Sequence, residues 1–171
     1  MGLENVIPMV PFCRTPEEGE KTLILMAEAG LMTRWYANQH GKKPERVVPV
    51  YVMCEIPSNV ILADQFLDIF DGMSIGSNDL TQLVLGLDRD SGIISGVGDE
   101  NNPAVKKMIA DIIAICRTRK KYIGICGQAP SDHPDFAAFL VRQGIASISL
   151  TPDTIIKGIG IIAAEEQKMK H

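Results

Sequence analysis

Three short apolar runs in this chain each stop at residues able to do chemistry. Val50-Tyr51-Val52-Met53-Cys54 ends at Glu55, Met73-Ser74-Ile75 at Gly76-Ser77-Asn78-Asp79, and Tyr122-Ile123-Gly124-Ile125 at Cys126-Gly127-Gln128. An apolar run that breaks off at polar groups and turns into a helical pattern is how a buried parallel strand presents a reactive side chain. When the pattern recurs, the groups gather at the carboxyl ends of the strands, where α/β enzymes keep their sites. Glu55 and Asp79 suit Mg²⁺, which takes oxygen ligands, keeps several waters and leaves positions for substrate oxygens. Each carboxylate could equally cap the helix after it or pair with a base. In Gly76-Ser77-Asn78-Asp79 the glycine admits a ligand close to the backbone, and the N–H groups of a helix start point at an anion. Asn78 adds a donor amide beside the Asp79 acceptor. An ordinary strand–helix turn with an Asx cap has the same sequence.

Cys126 stands where its strand ends, so its thiol could face a cleft and exchange a proton; a small core hydrophobe is the other reading, and the one that suits Cys54 and Cys116. Arg14 ends an earlier run and could bind an anion as a bidentate donor or pair with Glu17-Glu18. His40, His133 and His171 form no metal-type pair and no Ser/His/Asp set, and Gly96-x-Gly98 is too weak a pattern to name.

The elements that must position these groups can be read from periodicity. Strand-like runs are expected at Val6–Phe12, Val50–Glu55, Met73–Gly76, Tyr122–Cys126 and Ala146–Leu150, apolar on both pleat faces. Thr15-Pro16-Glu17-Glu18 opens a helix with an N-cap threonine and a first-turn proline. Pro57-Ser58 opens one carrying Val60, Ala63, Leu67 and Phe70, closed by Asp71-Gly72. A short helix over Leu80–Leu85 and a Gly-rich loop from Leu87 to about Asn101 follow. Asn102-Pro103 begins a helix with Val105, Met108, Ile109, Ile112 and Cys116 inward. Asp132 is expected to cap a helix stopped by Gly144, and a last helix runs from about Asp153 to Lys168. Met32–Val48, polar and holding Trp35, Tyr36 and His40, is expected to be a long loop. Alternating strand and helix mean right-handed crossovers and a parallel sheet in a single domain.

Composition narrows the classes. The 171 residues are 46% hydrophobic and 22% charged, enough for one sizeable core. A net charge of −4 argues against a nucleic-acid partner, since Lys42-Lys43 and Arg119-Lys120-Lys121 form no basic stripe. No stretch approaches the roughly 20 apolar residues of a membrane span, and the N-terminus shows no secretory pattern. Four cysteines without a C-x-x-C pair suit reduced thiols and a cytoplasmic setting.

The motifs also carry a resemblance. Val52-Met53-Cys54-Glu55-Ile56-Pro57-Ser58-Asn59-Val60, Ser74-Ile75-Gly76-Ser77-Asn78-Asp79-Leu80-Thr81-Gln82-Leu83, Leu87-Asp88-Arg89-Asp90-Ser91 and Gly124-Ile125-Cys126-Gly127-Gln128-Ala129-Pro130-Ser131-Asp132 resemble the C-terminal PEP/pyruvate-binding barrel of the phosphoenolpyruvate synthase (pyruvate, water dikinase) family. The likeness runs from about Asn5 to Lys157. Pyruvate, phosphate dikinase is similar in architecture, and a fragment of it is the alternative within the same class. The resemblance implies an α/β fold, a partial TIM (β/α)₈ barrel. It implies Mg²⁺ held by Glu55 and Asp79, and substrate contacts from Gly76, Ser77, Asn78 and Asp79. Cys126 would be the acid/base at the methyl or methylene carbon of pyruvate/PEP, with Mg²⁺ stabilising the enolate. In the family's full reaction pyruvate, ATP and water give PEP, AMP and phosphate, with a phosphohistidine domain and an ATP-grasp domain as partners.

A closed barrel of this type takes around 250 residues. The resemblance therefore implies that three strands, with the arginines that hold the phosphoryl group, would lie before Met1. The isolated chain is expected to be inactive in the full reaction and to form a homo-oligomer over its open edges. A non-catalytic interaction or regulatory module retaining the half barrel is the reading from another class.

Overall fold

The structure, a computed structural model, describes residues 5–87 and 98–170. The motif residues 88–91, with Gly92 and Gly96, lie outside the described residues. Five parallel strands form one sheet in chain order: β1 (Met9–Val10), β2 (Tyr51–Cys54), β3 (Gly72–Gly76), β4 (Tyr122–Cys126) and β5 (Ser147–Ile148). Sequential parallel neighbours joined by helices are the strand order of a (β/α) barrel, and this is a five-stranded part of one. The helices are α1 (Pro16–Glu28), α2 (Arg34–Gln39), α3 (Pro57–Ile61), α4 (Ala63–Ile69), α5 (Ser77–Leu85), α6 (Pro103–Thr118), α7 (Ala129–Asp132), α8 (Pro134–Gln143) and α9 (Ile155–Lys168).

The two sheet faces differ more than the sequence suggested. On one, Val52, Cys54, Met73, Ile75, Ile123 and Ile125 are buried with Phe66, Leu67, Ile109, Ile112 and Ile113 from the helices in a single core. Fully burying a side chain of this size contributes about 1.5–3 kcal/mol. The other face is the inner face of the barrel and is not apolar throughout. The register stacks it in levels: Tyr51, Gly72 and Tyr122; then Met53, Ser74, Gly124 and Ser147; then Gly76 beside Cys126. Tyr51 and Tyr122 stack across Gly72 with ring centroids 4.6 Å apart. A methyl group on Gly72 would lie 2.9 Å from Tyr122 Cβ and 3.0 Å from Tyr51 Cε1, so glycine is what lets the two rings meet.

Several boundaries depart from the sequence expectation. The outer strands are shorter, two residues each, because Val6–Phe12 and Ala146–Leu150 lie at the sheet margins, where among the described strands each has a neighbour on one side only. Met32–Val48 is not a bare loop: Thr33 caps α2 by accepting from the Tyr36 N–H at 3.2 Å, and Thr33 bridges Val48. The helix begun at Pro57 breaks at Leu62 (φ −105°, ψ 27°) into α3 and α4, with no proline or glycine there to announce it. α5 begins at Ser77, directly on the strand end, rather than at Leu80. Asp132 does not cap a helix. It ends the four-residue α7, and α8 starts after His133 with Pro134 in its first turn.

Candidate functional site

The sheet register decides which reactive groups share an edge. Cys54 pairs with Ile75 and Gly76 with Cys126, so Glu55, Gly76 and Cys126 follow one another across the carboxyl ends of β2, β3 and β4. Contact confirms the level: a methyl group on Gly76 would stand 2.6 Å from Glu55 Oε2. Glycine at 76 is what leaves that carboxylate oxygen room.

Glu55 is held firmly. It is 5% exposed, and its Oε1 accepts the Phe12 N–H at 2.7 Å. Phe12 takes the left-handed φ of 51°, uncommon for a bulky residue, and this turns its N–H to the carboxylate. The Glu55 backbone is fixed by Asn59, whose Oδ1 accepts from the N–H of Glu55 (3.2 Å) and of Ile56 (2.9 Å), while its Nδ2 donates to the Cys13 carbonyl at 2.7 Å. Asn59 is fully buried and ties the end of β2 to the segment after β1. Burial pushes the Glu55 carboxyl above its ordinary range; the Phe12 N–H opposes that rise and the nearby Asp79 charge adds to it.

Asp79, half-buried in the first turn of α5, is therefore within electrostatic reach of Glu55. Neither carboxylate forms an ion pair among the described residues, and those residues hold no cluster of three or more His, Cys, Asp or Glu side chains able to enclose a metal. Two carboxylates sharing an edge without a cation repel each other, and a hard divalent cation relieves that while drawing its other ligands from water and substrate. The donor set fits Mg²⁺.

Ser77 is fully buried and Asn78 half-buried at the N-terminal end of α5. Cys126 is half-buried, whereas Cys13, Cys54 and Cys116 are buried. Burial pushes the Cys13 thiol up to about 11 and the Cys116 thiol up to about 12, and it raises Cys54 further, so these three are poor proton carriers near neutral pH. The Cys126 thiol donates to the Ile75 carbonyl and accepts from the Ser74 hydroxyl, each at 3.6 Å. Gly127 follows with φ +133°, and a β-carbon there would overlap Ser77 Oγ. Arg14 does not reach into this edge: its backbone N–H donates to Glu18 Oε2 at 2.8 Å and its guanidinium lies 3.6 Å from Glu18 Oε1.

Two supporting residues were not singled out in the sequence. Asn59 occupies the third position of the helix opened at Pro57, where a polar side chain reaches back to the helix start, and that spacing was a usable signal. Ser74 carried none, because a serine inside a strand says nothing about its neighbour on the next strand.

The family model for the PEP-utilising enzyme, PEP-binding domain, matches residues 3–166. A phosphoenolpyruvate synthase of Synechocystis sp. is 54% identical over 99% of this chain and 19% of its own length. That of Escherichia coli is 50% identical over 92% of the chain and 19% of its own length, and that of Aeropyrum pernix 45% over 98% and 19%. The chain thus spans about one fifth of the length of the curated relatives it matches. In fold it is similar to a HpcH/Hpal aldolase/citrate lyase family protein from Burkholderia cenocepacia, with a TM-score of 0.60 and 16% identity over 95% of this chain and 65% of that one. With nearly its whole length matched, the chain belongs to the PEP-binding domain family of PEP-utilising enzymes.

Proposed function

We propose that this chain is the PEP/pyruvate-binding portion of a phosphoenolpyruvate synthase. The observation that carries this is the shared edge: a buried carboxylate, a glycine and a half-buried thiol sit at one level on three adjacent strands of a PEP-binding domain. Glu55 and Asp79 would hold Mg²⁺, which when bound supplies positive charge opposite the carboxylate and keto oxygens of a three-carbon acid. Glu55 is aimed by the Phe12 N–H and by Asn59. Asn78 offers its amide to the same substrate, and the first N–H groups of α5 face anionic oxygens. Cys126 holds or moves the proton at the substrate's terminal carbon, and Ser74 orients its sulfur. Phosphoryl transfer from ATP would require the phosphohistidine and ATP-grasp parts of the longer relatives, so the chain by itself binds but does not turn over.

Calorimetry with Mg²⁺ and oxalate, a planar enolate mimic, tests this. Oxalate binding that needs Mg²⁺ and is lost in Glu55→Ala is the expected result. Binding that ignores the metal, or survives the substitution, refutes the assignment.

A further inference from the structure

Ser77, which the resemblance implies as a substrate contact, has a hydroxyl that the proposed chemistry does not use. Ser77 Oγ is fully buried and lacks a hydrogen-bond partner among the described residues, and the same is true of Glu100 Oε1. The two belong to one place: the Ser77 hydroxyl lies against the Glu100 carboxyl and offsets part of the rise in proton affinity that burial imposes on it. His133, Asp132 and Asp99 are the other charged groups acting on that carboxyl. Ser77 Oγ also lies by Gly127, so close that any β-carbon there would overlap it. Ser77 is thus the joint between the end of β3, the start of α5 and the turn after Cys126. A buried donor and a buried acceptor, neither matched among the described residues, each gain by satisfying the other.

We propose, resting on the site reading of the preceding section, that Glu100 is a positioning residue. Its carboxylate is the acceptor for the Ser77 hydroxyl, and the pair sets the α5 start, with Asn78 and Asp79, against the Cys126–Gly127 turn. Glu100 touches neither metal nor substrate in this role. It acts through Ser77 alone.

The test is a double-substitution cycle in the full chain, read by the rate of Cys126 alkylation with iodoacetamide, followed by peptide mass spectrometry; this needs no ligand. Glu100→Ala and Ser77→Ala are each expected to raise that rate about fivefold, the scale of one lost hydrogen bond. The double variant should rise no further than either single one, because partners in one interaction are not additive. Glu100→Gln keeps an accepting oxygen and should stay within about twofold of the unsubstituted chain, a rescue that mere loosening of the segment would not give. Thermal melts exclude unfolded variants, and Glu100→Gln with Ser77→Ala still decides if Glu100→Ala fails to fold. Additive effects, no effect of Glu100→Ala, or a Glu100→Gln chain as perturbed as Glu100→Ala each overturn the pairing. The site reading fails separately, by absence of Mg²⁺-dependent oxalate heat in the unsubstituted chain.

Discussion

At Glu55, a carboxyl is kept in a place that disfavours its charge. Its folded-state proton affinity is raised, chiefly by burial, so the folded chain holds the proton more tightly than the unfolded one. At pH below the unfolded carboxylate value both states are protonated and no penalty exists. As pH rises from that value through the folded one the penalty develops, and above it the penalty is complete. In the metal-free chain Glu55→Gln should therefore be stabilising at pH 7, with the gain vanishing in acid. Urea denaturation at the two pH values checks this. Added Mg²⁺ should stabilise the unsubstituted chain and leave Glu55→Gln unmoved. Asn59 is the opposite case, a buried side chain whose polar atoms are matched by Cys13, Glu55 and Ile56. Asn59→Ala strands those backbone groups and should cost about 2–4 kcal/mol, read as a lower urea midpoint at unchanged m-value.

Between elements, the glycines of the strand ends set how closely the strands' loops approach. Gly127 combines a left-handed φ of +133° with Ser77 Oγ in the space a β-carbon would need. Gly127→Ala meets both the backbone penalty and the overlap, and a loss of about 2–4 kcal/mol is expected by thermal or urea denaturation. Gly160 is the control. It lies within α9 with no atom within 4 Å of a would-be β-carbon, so Gly160→Ala should stabilise by roughly 0.5–1 kcal/mol. If both substitutions shift the melting temperature alike, the account of Gly127 is wrong.

For the molecule as a whole, the described sheet leaves β1 and β5 each with one open side. Val6, Ile7, Met9 and Phe12 are exposed at the first margin, and Ile155, Ile156 and Ile159 on α9, with Met169 just after it, are exposed as well. Open parallel edges beside exposed apolar residues invite association. Light scattering of the purified chain should give a mass above the 18.7 kDa of one copy, and a clean monomer would contradict this. A coupled assay supplied with pyruvate and ATP should detect no PEP formation, because the chain matches about one fifth of each relative. ATP-dependent PEP formation would refute the division of labour proposed here.

Much of this was legible in the residues. Apolar runs ending at Glu55, Asp79 and Cys126 implied parallel strands carrying their chemistry at one end, and the parallel five-stranded sheet has that order, because burial on the helix side demands apolar runs of strand length. Local signals also marked the starts of α1 and α6, where Thr15 and Asn102 accept from the first-turn N–H groups. What the sequence left open was everything depending on residues far apart in the chain. The break at Leu62 and the glycine-and-tyrosine lining of the inner face have no local cause, whereas the helix inside residues 32–48 had a local signal in its Thr33 cap. Above all, only the folded chain sets Glu55 against Gly76 and Ser74 against Cys126. Side-chain type and strand-end position are local properties written in the chain, whereas register and burial are fixed by the closing of the whole sheet.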